Sequence, residues 1–352
     1  MSVAVHHTAV SGRTFASDNH AGVHPEVLAA LALANEGDQG AYGNDDYTHQ
    51  LQRTFARHFG FQARSYPVFN GTGANVVALQ ALLPRWGAVI AAESAHLNLD
   101  EGGAPEQVGI KIYPVTTPDG KLTPELIDRQ AWGWGIEHRA QPLAVSISQS
   151  TELGTCYTSD EIRRICDRAH ELGMLVHGDG ARLANAAATL GVSLRDMTTD
   201  AGMDVLSFGG TKNGLLLGEA IVVLNPQIPG DVAYLRKSSM QLASKMRFIS
   251  AQFEALLGGD LWLRNAAHAN AMAIRLATAV REIGGLEIVR PVQANAVFAT
   301  VPRSARRRLQ QRYPSHVWNR RTGEVRWMCS FDTTTTDVDN FVAALTVEIR
   351  AR

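Results

Sequence analysis

A lysine and an aspartate carry the first chemistry that this sequence predicts. Asp179 lies in the segment HGDGAR, and Lys212 follows in SFGGTKNG. A lysine amine forms an imine with an aldehyde, and a buried carboxylate keeps a pyridine nitrogen protonated, so that the ring withdraws electrons from a bound amino acid. Pyridoxal phosphate offers both an aldehyde and a pyridine nitrogen. We therefore expect Lys212 and Asp179 to hold the two ends of this cofactor.

Each of these residues also has a simpler explanation. Lys212 would be a solvated loop lysine, and Asp179 would cap the helix ARLANAA. The glycines Gly209 and Gly210 favour the cofactor, because they would let a planar ring approach the backbone. Arg182 is either a solvated helical arginine or a guanidinium that grips a substrate carboxylate in a bidentate pair.

A glycine-rich turn, NGTGAN (70–75), separates a strand-like run from an apolar helical stretch. The free N–H groups at the start of such a helix would hold a phosphate. The turn is not a dinucleotide fingerprint, since Val76 takes the place of the third glycine. Glycine also occurs in such turns for conformational reasons alone.

The elements around these residues alternate between strand and helix patterns, which favours an α/β sheet. Apolar runs typical of buried parallel strands are YPVF (66–69), VIAA (89–92) and LAVSIS (143–148). The run MLVH ends just before Asp179 and DVLSF ends before Lys212, and EAIVVL (219–224) follows. Asp179 and Lys212 would thus lie at strand ends, where open α/β sheets bind ligands.

A second domain is predicted after a long helix at about 259–285. ANAVFATV and GEVRWMCSF alternate as half-buried antiparallel strands do, and Val338, Phe341, Val342 and Leu345 have helical spacing. We expect a large cofactor domain at 1–258, including the N-terminal segment, and a small α+β domain at 259–352.

In the large domain, Thr158 and Glu161 predict a capping box for a helix that stops at Gly173.

Composition excludes several classes of function. The 352 residues carry a formal net charge of -1 with no run of like charge, which argues against nucleic acid or an anionic membrane as partner. Three cysteines without a CxxC pair suit a reducing cytoplasm. Residues 1–12 lack a secretory signal pattern, and no stretch is typical of a membrane span. His177 and Asp179 are too few ligands for a metal site.

Eight ordered blocks make the sequence resemble the low-specificity L-threonine aldolases of bacteria. They are SDN (17–19), AYGNDD (41–46), FNGTGAN (69–75), AHLNLDEGGAPE (95–106), DGARLANA (179–186), FGGTKNG (208–214), QLASKMRF (241–248) and RWMCSFDT (326–333). The resemblance covers nearly the whole chain. It implies the aspartate-aminotransferase-like fold (fold type I) of pyridoxal phosphate enzymes, a large mostly parallel-sheet domain with a small C-terminal domain, and a homotetramer whose subunits share active sites.

The same resemblance implies roles in cofactor binding. Lys212 corresponds to the lysine that forms a Schiff base with the cofactor, and Asp179 to the partner of the pyridinium nitrogen. Gly71 and Thr72 would cradle the phosphate. His96 would lie on the ring face and contact the substrate hydroxyl, although a histidine there could otherwise be explained by packing.

Roles in substrate binding are implied in the same way. Arg182, Arg326 and Ser17 would bind the substrate carboxylate, although a strand arginine such as Arg326 has an exposed position as its simpler explanation. Arg247 would reach the phosphate. Tyr42 is implied as a wall or phosphate contact from the adjoining subunit.

One segment departs from the family pattern. Many threonine aldolases have a histidine after the strand that corresponds to LAVSIS, whereas this chain has SQSTELGT (148–155). Gln149, Thr151 and Glu152 resemble one bacterial branch of the family. The group that takes the hydroxyl proton is therefore open: His96 is the first candidate, and a water held by Glu152 or Thr151 is the second.

The predicted activity is retro-aldol cleavage of L-threonine, L-allo-threonine and related L-3-hydroxy-α-amino acids to glycine and an aldehyde. The same cofactor chemistry also permits β-elimination, racemisation or transamination, and a phenylserine-preferring aldolase is a further alternative. A non-catalytic cofactor-binding or scaffold protein is the alternative from another class. The sequence leaves the preferred aldehyde and the choice between threo and erythro substrates open.

Overall fold

A seven-stranded sheet dominates the computed structural model, which describes residues 13–228 and 231–351. Its strands are β1 (Arg64–Val68), β2 (Gly87–Ala92), β3 (Lys111–Val115), β4 (Gln141–Ser148), β5 (Leu175–Gly180), β6 (Val205–Gly209) and β7 (Glu219–Val223). Their spatial order is β1-β7-β6-β5-β4-β2-β3. The pairs from β6 to β3 are parallel, and β7 is antiparallel to both of its neighbours. The predicted α/β fold is confirmed.

Helices cover both faces of this sheet and connect its strands. The α-helices of the described residues are α1 (Pro25–Ala34), α2 (Asp46–Phe59), α3 (Gly71–Leu82), α4 (His96–Leu99), α5 (Ala104–Gln107), α6 (Pro124–Gln130), α7 (Ser159–Glu171), α8 (Leu183–Leu190), α9 (Val232–Ser238), α10 (Arg247–Leu257), α11 (Leu261–Arg281), α12 (Arg303–Arg312) and α13 (Thr335–Arg350). The last two, α12 and α13, belong to the C-terminal part and do not cover this sheet. The predicted capping box of α7 is present, with Thr158 and Glu161 in reciprocal hydrogen bonds. The N-terminal residues 1–12, for which no signal pattern was expected, lie outside the described residues.

The strands are mostly apolar because both faces of the sheet are covered. In β6, Leu206 and Phe208 belong to one core, whereas Val205 belongs to the core on the opposite face. Phe208 lies against Phe55 of α2, with ring centroids 5.8 Å apart, and Phe55 is 5.7 Å from Phe253 of α10. This aromatic contact fixes the strand that leads directly to Lys212.

The glycines before Lys212 are required for a reason other than the expected one. A Cβ atom at Gly209 would lie 2.6 Å from the carbonyl oxygen of Ala181, and one at Gly210 would lie 2.8 Å from that of Gly218. Protein backbone thus occupies the space beside both glycines. They let the ends of neighbouring strands approach each other, and the expectation that they also admit a planar ring stays a prediction.

A smaller antiparallel sheet follows in the C-terminal part. Its strands are β8 (Glu287–Ile288), β9 (Ala296–Thr300), β10 (His316–Asn319) and β11 (Glu324–Met328), in the order β10-β11-β9-β8. As predicted, Val338, Phe341 and Leu345 of α13 are buried, and they pack with this sheet. The small antiparallel unit is confirmed.

The strands of this smaller sheet are buried more completely than their alternation predicts. Val297 and Ala299 of β9 face the core with α13, as expected. Ala296 and Phe298 on the other face are also buried, because the loop at Gly154 packs against them. The second face is therefore an internal surface between the two sheets.

Helix α11 belongs to both cores. Leu261 and Ala266 pack with the large sheet, whereas Met272 and Leu276 pack with the small one. The predicted division at 258/259 lies just before this helix and stays a prediction.

Cys156, Cys166 and Cys329 are all free and buried. Within residues 13–228 and 231–351, no helix has both the length and the apolar character needed to cross a membrane.

Replacing Phe55 by Ala should lower the free energy of unfolding by about 3–5 kcal/mol, because a large cavity would open among buried aromatic rings. Urea-induced unfolding followed by circular dichroism measures the change. Phe61→Ala is the control, since this side chain is 86% exposed, and it should change the free energy by no more than about 0.5 kcal/mol. Equal losses in the two variants would contradict the assignment of Phe55 to the core.

Candidate active site

A cavity of about 380 Å³ opens at the carboxyl ends of the parallel strands. Its size falls in the range of small-molecule sites. Most of the sequence-predicted site residues line it together: Ser17, Gly71, Thr72, His96, Asp179, Arg182, Lys212 and Arg326. Segments that are far apart in the sequence thus converge as the strand topology predicts.

Two predicted site residues lie away from this cavity in their own chain. Tyr42 is 54% exposed, and its backbone N–H donates to the carbonyl of Ser244. Arg247 donates from Nη1 to the carbonyl of Gly37 at 2.8 Å. A contribution of Tyr42 or Arg247 to a site stays a prediction, and it requires a neighbouring subunit.

Asp179 is buried at the end of β5 and has partners for both oxygens. Oδ1 accepts a hydrogen bond from the N–H of Ala181 at 3.0 Å, and Oδ2 accepts one from Nδ2 of Asn75 at 3.1 Å. Burial alone would raise the pKa of Asp179, but the charge of Lys212 and the Ala181 hydrogen bond outweigh burial and lower it. Asp179 is therefore an anion that can neutralise a cationic ring nitrogen.

His177 lies beneath this carboxylate and is fully buried. Its Nδ1 is 2.9 Å from the hydroxyl of Ser146, and its Nε2 is 2.9 Å from that of Ser207. Burial lowers the pKa of His177 to about 4. The ring is thus neutral at pH 7, and both of its nitrogens are used within the protein.

Glu219 is a second buried carboxylate that lines the cavity beside Lys212. It accepts a hydrogen bond from the N–H of Gly210 at 2.9 Å. Burial raises the pKa of Glu219 to about 7, although the charge of Lys212 opposes this shift. Lys212 therefore lies between an ionised aspartate and a glutamate that titrates near neutrality.

His96 is held from two sides at the start of α4. Its Nδ1 lies 2.8 Å from Oε1 of Glu101, and the same oxygen accepts from Nδ2 of Asn75 at 2.9 Å. The Glu101 hydrogen bond raises the pKa of His96 despite partial burial. Burial would raise the pKa of Glu101, but hydrogen bonds from His96, Thr72 and Asn75 lower it overall. His96 consequently presents a fixed ring to the cavity.

The start of α3 forms another wall. Asn70 caps the helix by accepting from the N–H of Gly73 at 2.8 Å, so the N–H groups of Gly71 and Thr72 have no intrahelical acceptor. The side-chain amide of Gln241 packs directly against Gly73, so a side chain at this position would displace Gln241. The exposed N–H groups form an anion-binding end of a helix twelve residues long.

Asp18 occupies two of the three guanidinium nitrogens of Arg182, a contact that the sequence did not predict. Nε and Nη2 of Arg182 donate to the Asp18 carboxylate at 2.7 and 2.8 Å. Burial would raise the pKa of Asp18, but Arg182 lowers it to about 2. Asn295 donates to the same carboxylate at 3.0 Å. Arg182 retains Nη1 for a ligand, and its orientation is fixed.

Arg326 has a buried Nε atom with no hydrogen-bond partner in the described part of the chain. Burial and the nearby charge of Arg182 together lower the pKa of Arg326 to about 10. Its guanidinium carbon lies 5.4 Å from the ring centre of Trp318. Since Asp18 neutralises only one of the two guanidinium groups, this end of the cavity favours an anion.

The segment that departs from the family pattern contributes Ser148, Ser150 and Glu152 to the lining of the cavity. Gln149 hydrogen-bonds to the backbone of Tyr157, and the hydroxyl of Thr151 pairs with that of Thr155. Among Gln149, Thr151 and Glu152, only Glu152 lines the cavity. Gln149 and Thr151 hold the loop in shape.

Sequence reasoning missed several residues that complete the site. They are Asp18, Asn75, Glu101 and Glu219. Asp18 follows Ser17 directly, and Asn75 and Glu101 lie inside quoted blocks, so the blocks contained a signal that the selection of single residues passed over. Glu219 lies in none of these blocks, and the sequence pattern assigned it only to a strand.

The parallel sheet, the smaller antiparallel sheet and a lysine at the strand ends define the fold type I class of pyridoxal-phosphate-dependent enzymes. The chain belongs to the beta-eliminating lyase family, whose model matches residues 14–304. It is 42% identical over 321 residues to a low specificity L-threonine aldolase of Pseudomonas sp. and 43% identical to one of Pseudomonas aeruginosa. Each match covers 91% of this chain and 93% of the relative.

A solved structure agrees with these relatives. The Leishmania major threonine aldolase is 29% identical, with a TM-score of 0.90, and the match covers 95% of this chain and 99% of that one. The resemblance to low-specificity L-threonine aldolases is confirmed by these comparisons.

Replacing Asp18 by Asn should lower the free energy of unfolding at pH 7 by about 3–5 kcal/mol, because Arg182 would keep its buried charge without a carboxylate. The pKa of Asp18 is lowered from 3.8 to about 2, so the stability from ionised Asp18 is complete above pH 3.8 and is lost as the pH falls through about 2. The difference from wild type should therefore narrow below pH 3.8. Urea unfolding at several pH values measures it.

The control is Asp167→Asn, since Asp167 is exposed on α7. It should leave the free energy of unfolding within about 0.5 kcal/mol of wild type. A difference at Asp18 that stayed constant down to pH 2 would contradict the buried ion pair.

Proposed function

We propose that this chain catalyses retro-aldol cleavage of L-threonine and related L-3-hydroxy-α-amino acids to glycine and an aldehyde. One observation carries the proposal: a single cavity combines the amine of Lys212, the ionised carboxylate of Asp179 and the guanidinium groups of Arg182 and Arg326. The Pseudomonas relatives, at 42–43% identity over 91% of the chain, support the same reaction.

The cofactor of this reaction is pyridoxal phosphate, on which the family depends. The residues of the cavity fit it: Lys212 offers an amine, Asp179 an anion for the ring nitrogen, and Gly71 and Thr72 N–H groups for the phosphate. His96 offers a ring at the side of the cavity. Asn75 Oδ1 is buried without a partner in the described part of the chain, which supports the presence of a further polar group there.

Bound pyridoxal phosphate supplies an electron-withdrawing ring that accepts the electron pair of a bond broken at the substrate Cα. Asp179 strengthens this effect because its negative charge stabilises a protonated ring nitrogen. Asn75 and Ala181 keep both Asp179 oxygens in place, so little reorganisation is needed during the reaction. The amine of Lys212 would hold the cofactor until the substrate amine replaces it at that position.

Arg182 and Arg326 orient the substrate through its carboxylate. Asp18 fixes Arg182, and Arg326 contributes the unpartnered Nε. Ser17 lies at the same end of the cavity, where its hydroxyl accepts from the N–H of Asn19 at 3.2 Å. Fixing the carboxylate sets which bond at Cα stands perpendicular to the cofactor ring, and this selects the bond that breaks.

The assembly is part of the proposal. We expect a homotetramer in which Tyr42 and Arg247 reach the cavity of a neighbouring subunit. An apolar groove of about 640 Å³ supports an interface, and it is continuous with the cavity through Phe69 and Leu217. The domain division at 258/259 and a cytoplasmic location stay predictions. Sedimentation or light scattering of the purified protein tests the tetramer.

Product analysis tests the reaction against its alternatives. L-Threonine should yield equimolar glycine and acetaldehyde, whereas 2-oxobutyrate without glycine would indicate β-elimination. Bound cofactor without any product would indicate a binding protein. A panel of the four threonine stereoisomers and phenylserine, scored by glycine release, defines the preferred substrate.

Replacing Lys212 by Ala should reduce glycine formation from L-threonine to background, because no other lysine of the described residues lines the cavity to release the product. Borohydride treatment of the wild-type holoenzyme should attach a pyridoxyl group to the peptide that contains Lys212, and mass spectrometry detects it. The control Lys111→Ala removes an exposed lysine of β3 and should keep wild-type activity. Substantial turnover by the Lys212 variant would contradict this assignment.

Replacing Arg326 by Gln should raise KM for L-threonine by about 10- to 100-fold, because a hydrogen bond to a charged group contributes about 1.5–3 kcal/mol. The visible absorbance of the bound cofactor should stay unchanged. Steady-state kinetics measures KM, with Arg281→Gln on the exposed side of α11 as the control. Loss of cofactor with an unchanged KM would assign Arg326 to a different role.

A further inference from the structure

We infer that Glu152 is the catalytic base that removes the proton from the β-hydroxyl of the substrate. The inference rests on the proposed function. Glu152 stands in the loop between β4 and α7, where the chain departs from the histidine pattern of many relatives, and its side chain lines the cavity. The geometry of its two oxygens carries the argument.

The two carboxylate oxygens of Glu152 have different surroundings. Oε1 accepts a hydrogen bond from the backbone N–H of His96 and one from the hydroxyl of Ser148, both at 2.8 Å. Oε2 is buried and has no hydrogen-bond partner within residues 13–228 and 231–351. Leaving such a buried oxygen without a donor destabilises the protein, and more so when the group is charged. One oxygen is therefore anchored, and the other is an unused hydrogen-bond acceptor in a residue that lines the cavity.

The electrostatic surroundings make Glu152 a stronger base than an ordinary glutamate. Burial raises the pKa of Glu152, and the negative charge of Asp179 raises it further, while the hydrogen bonds from His96 and Ser148 oppose the shift. The other charged or titratable groups that sense its charge are Arg182, Arg326 and Tyr157. A base whose pKa is closer to neutrality takes a hydroxyl proton more readily.

The other candidates are less suited to this step. The Glu101 hydrogen bond raises the pKa of His96 and occupies its Nδ1, so the ring tends to carry a proton already. The hydroxyl of Thr151 pairs with that of Thr155 and does not line the cavity. Asp100 lines the cavity but is exposed, so water solvates its charge. Glu152 combines a free oxygen with a dry environment.

Protons and electrons balance in this step. The β-hydroxyl gives its proton to Oε2 of Glu152, and the C–O bond becomes the C=O bond of the aldehyde. The Cα–Cβ bond breaks, and its electron pair stays with the fragment that contains Cα. This fragment gains one proton to become glycine, and Glu152 returns its proton to solvent. The overall reaction therefore neither consumes nor releases a proton.

The test compares two reactions of one variant, Glu152→Gln, purified as the holoenzyme. Cleavage of L-threonine should fall by about 10²- to 10⁴-fold, the usual contribution of a general base. Exchange of the α-hydrogen of glycine in D₂O, followed by NMR, should stay within about threefold of wild type. Glycine has no hydroxyl group, so this exchange uses Lys212 and the cofactor but does not need Glu152.

The control Glu93→Gln makes the same chemical change at an exposed glutamate, which lies near the cavity but does not line it. Both reactions should keep their wild-type rates. Glu152→Asp, which retains a carboxylate on a shorter side chain, should recover part of the cleavage activity. If Glu152→Gln does not fold, Glu152→Asp tests the inference by itself: cleavage should fall below the wild-type rate without being abolished, because the shorter side chain displaces the carboxylate, while glycine exchange should stay within about threefold of wild type.

The pH profile provides a second measurement. A base must be ionised, so kcat/KM for L-threonine should fall as the pH drops through the raised pKa of Glu152, and this acid limb should be absent in Glu152→Gln. Equal loss of cleavage and exchange, or wild-type cleavage in Glu152→Gln, would overturn the assignment. A wild-type enzyme that exchanges glycine but never releases it from L-threonine would instead defeat the proposed function.

Discussion

The ion pair between Asp18 and Arg182 is the interaction on which the arrangement of the site depends. It joins the N-terminal segment to the large sheet, and Asn295 extends the same contact to the smaller sheet. The main chain reinforces this connection, because the N–H of Met328 donates to the carbonyl of Phe15 and the N–H of His24 donates to that of Gly214. A short segment before the first long helix thereby sets how an arginine faces the cavity.

A second constraint is the balance of charge in a small volume. Asp179, Glu152 and Glu219 are all carboxylates beside the cavity, yet their surroundings move their pKa values in different directions. Neighbouring Lys212 and a backbone N–H lower the pKa of Asp179, whereas burial raises that of Glu219 to about 7 and also raises that of Glu152. The same functional group can therefore act as a permanent anion at one position and as a proton carrier at another.

The sequence was sufficient to predict the α/β architecture and the residues that converge at the strand ends. Apolar strands and helix periodicity are local signals, and Asp179 and Lys212 follow their strands directly. Partnerships across the chain were not predictable in this way. Nothing local to Arg182 indicates that Asp18 occupies two of its nitrogens, and nothing local to Glu152 indicates that one oxygen is anchored while the other is free. Burial of both faces of β9 also depends on a distant loop at Gly154.

Helix α11 limits where residues can be inserted into the chain or deleted from it. It is continuous over 21 residues, with Ala266 in one core and Met272 in the other. Each helical residue advances the side-chain direction by about 100°, so one residue inserted between these positions would turn the second half away from its core. Seven residues would restore the direction but would lengthen the helix by about 10 Å, so insertions between these positions should not be tolerated. The length of the helix thus fixes the separation between the two cores.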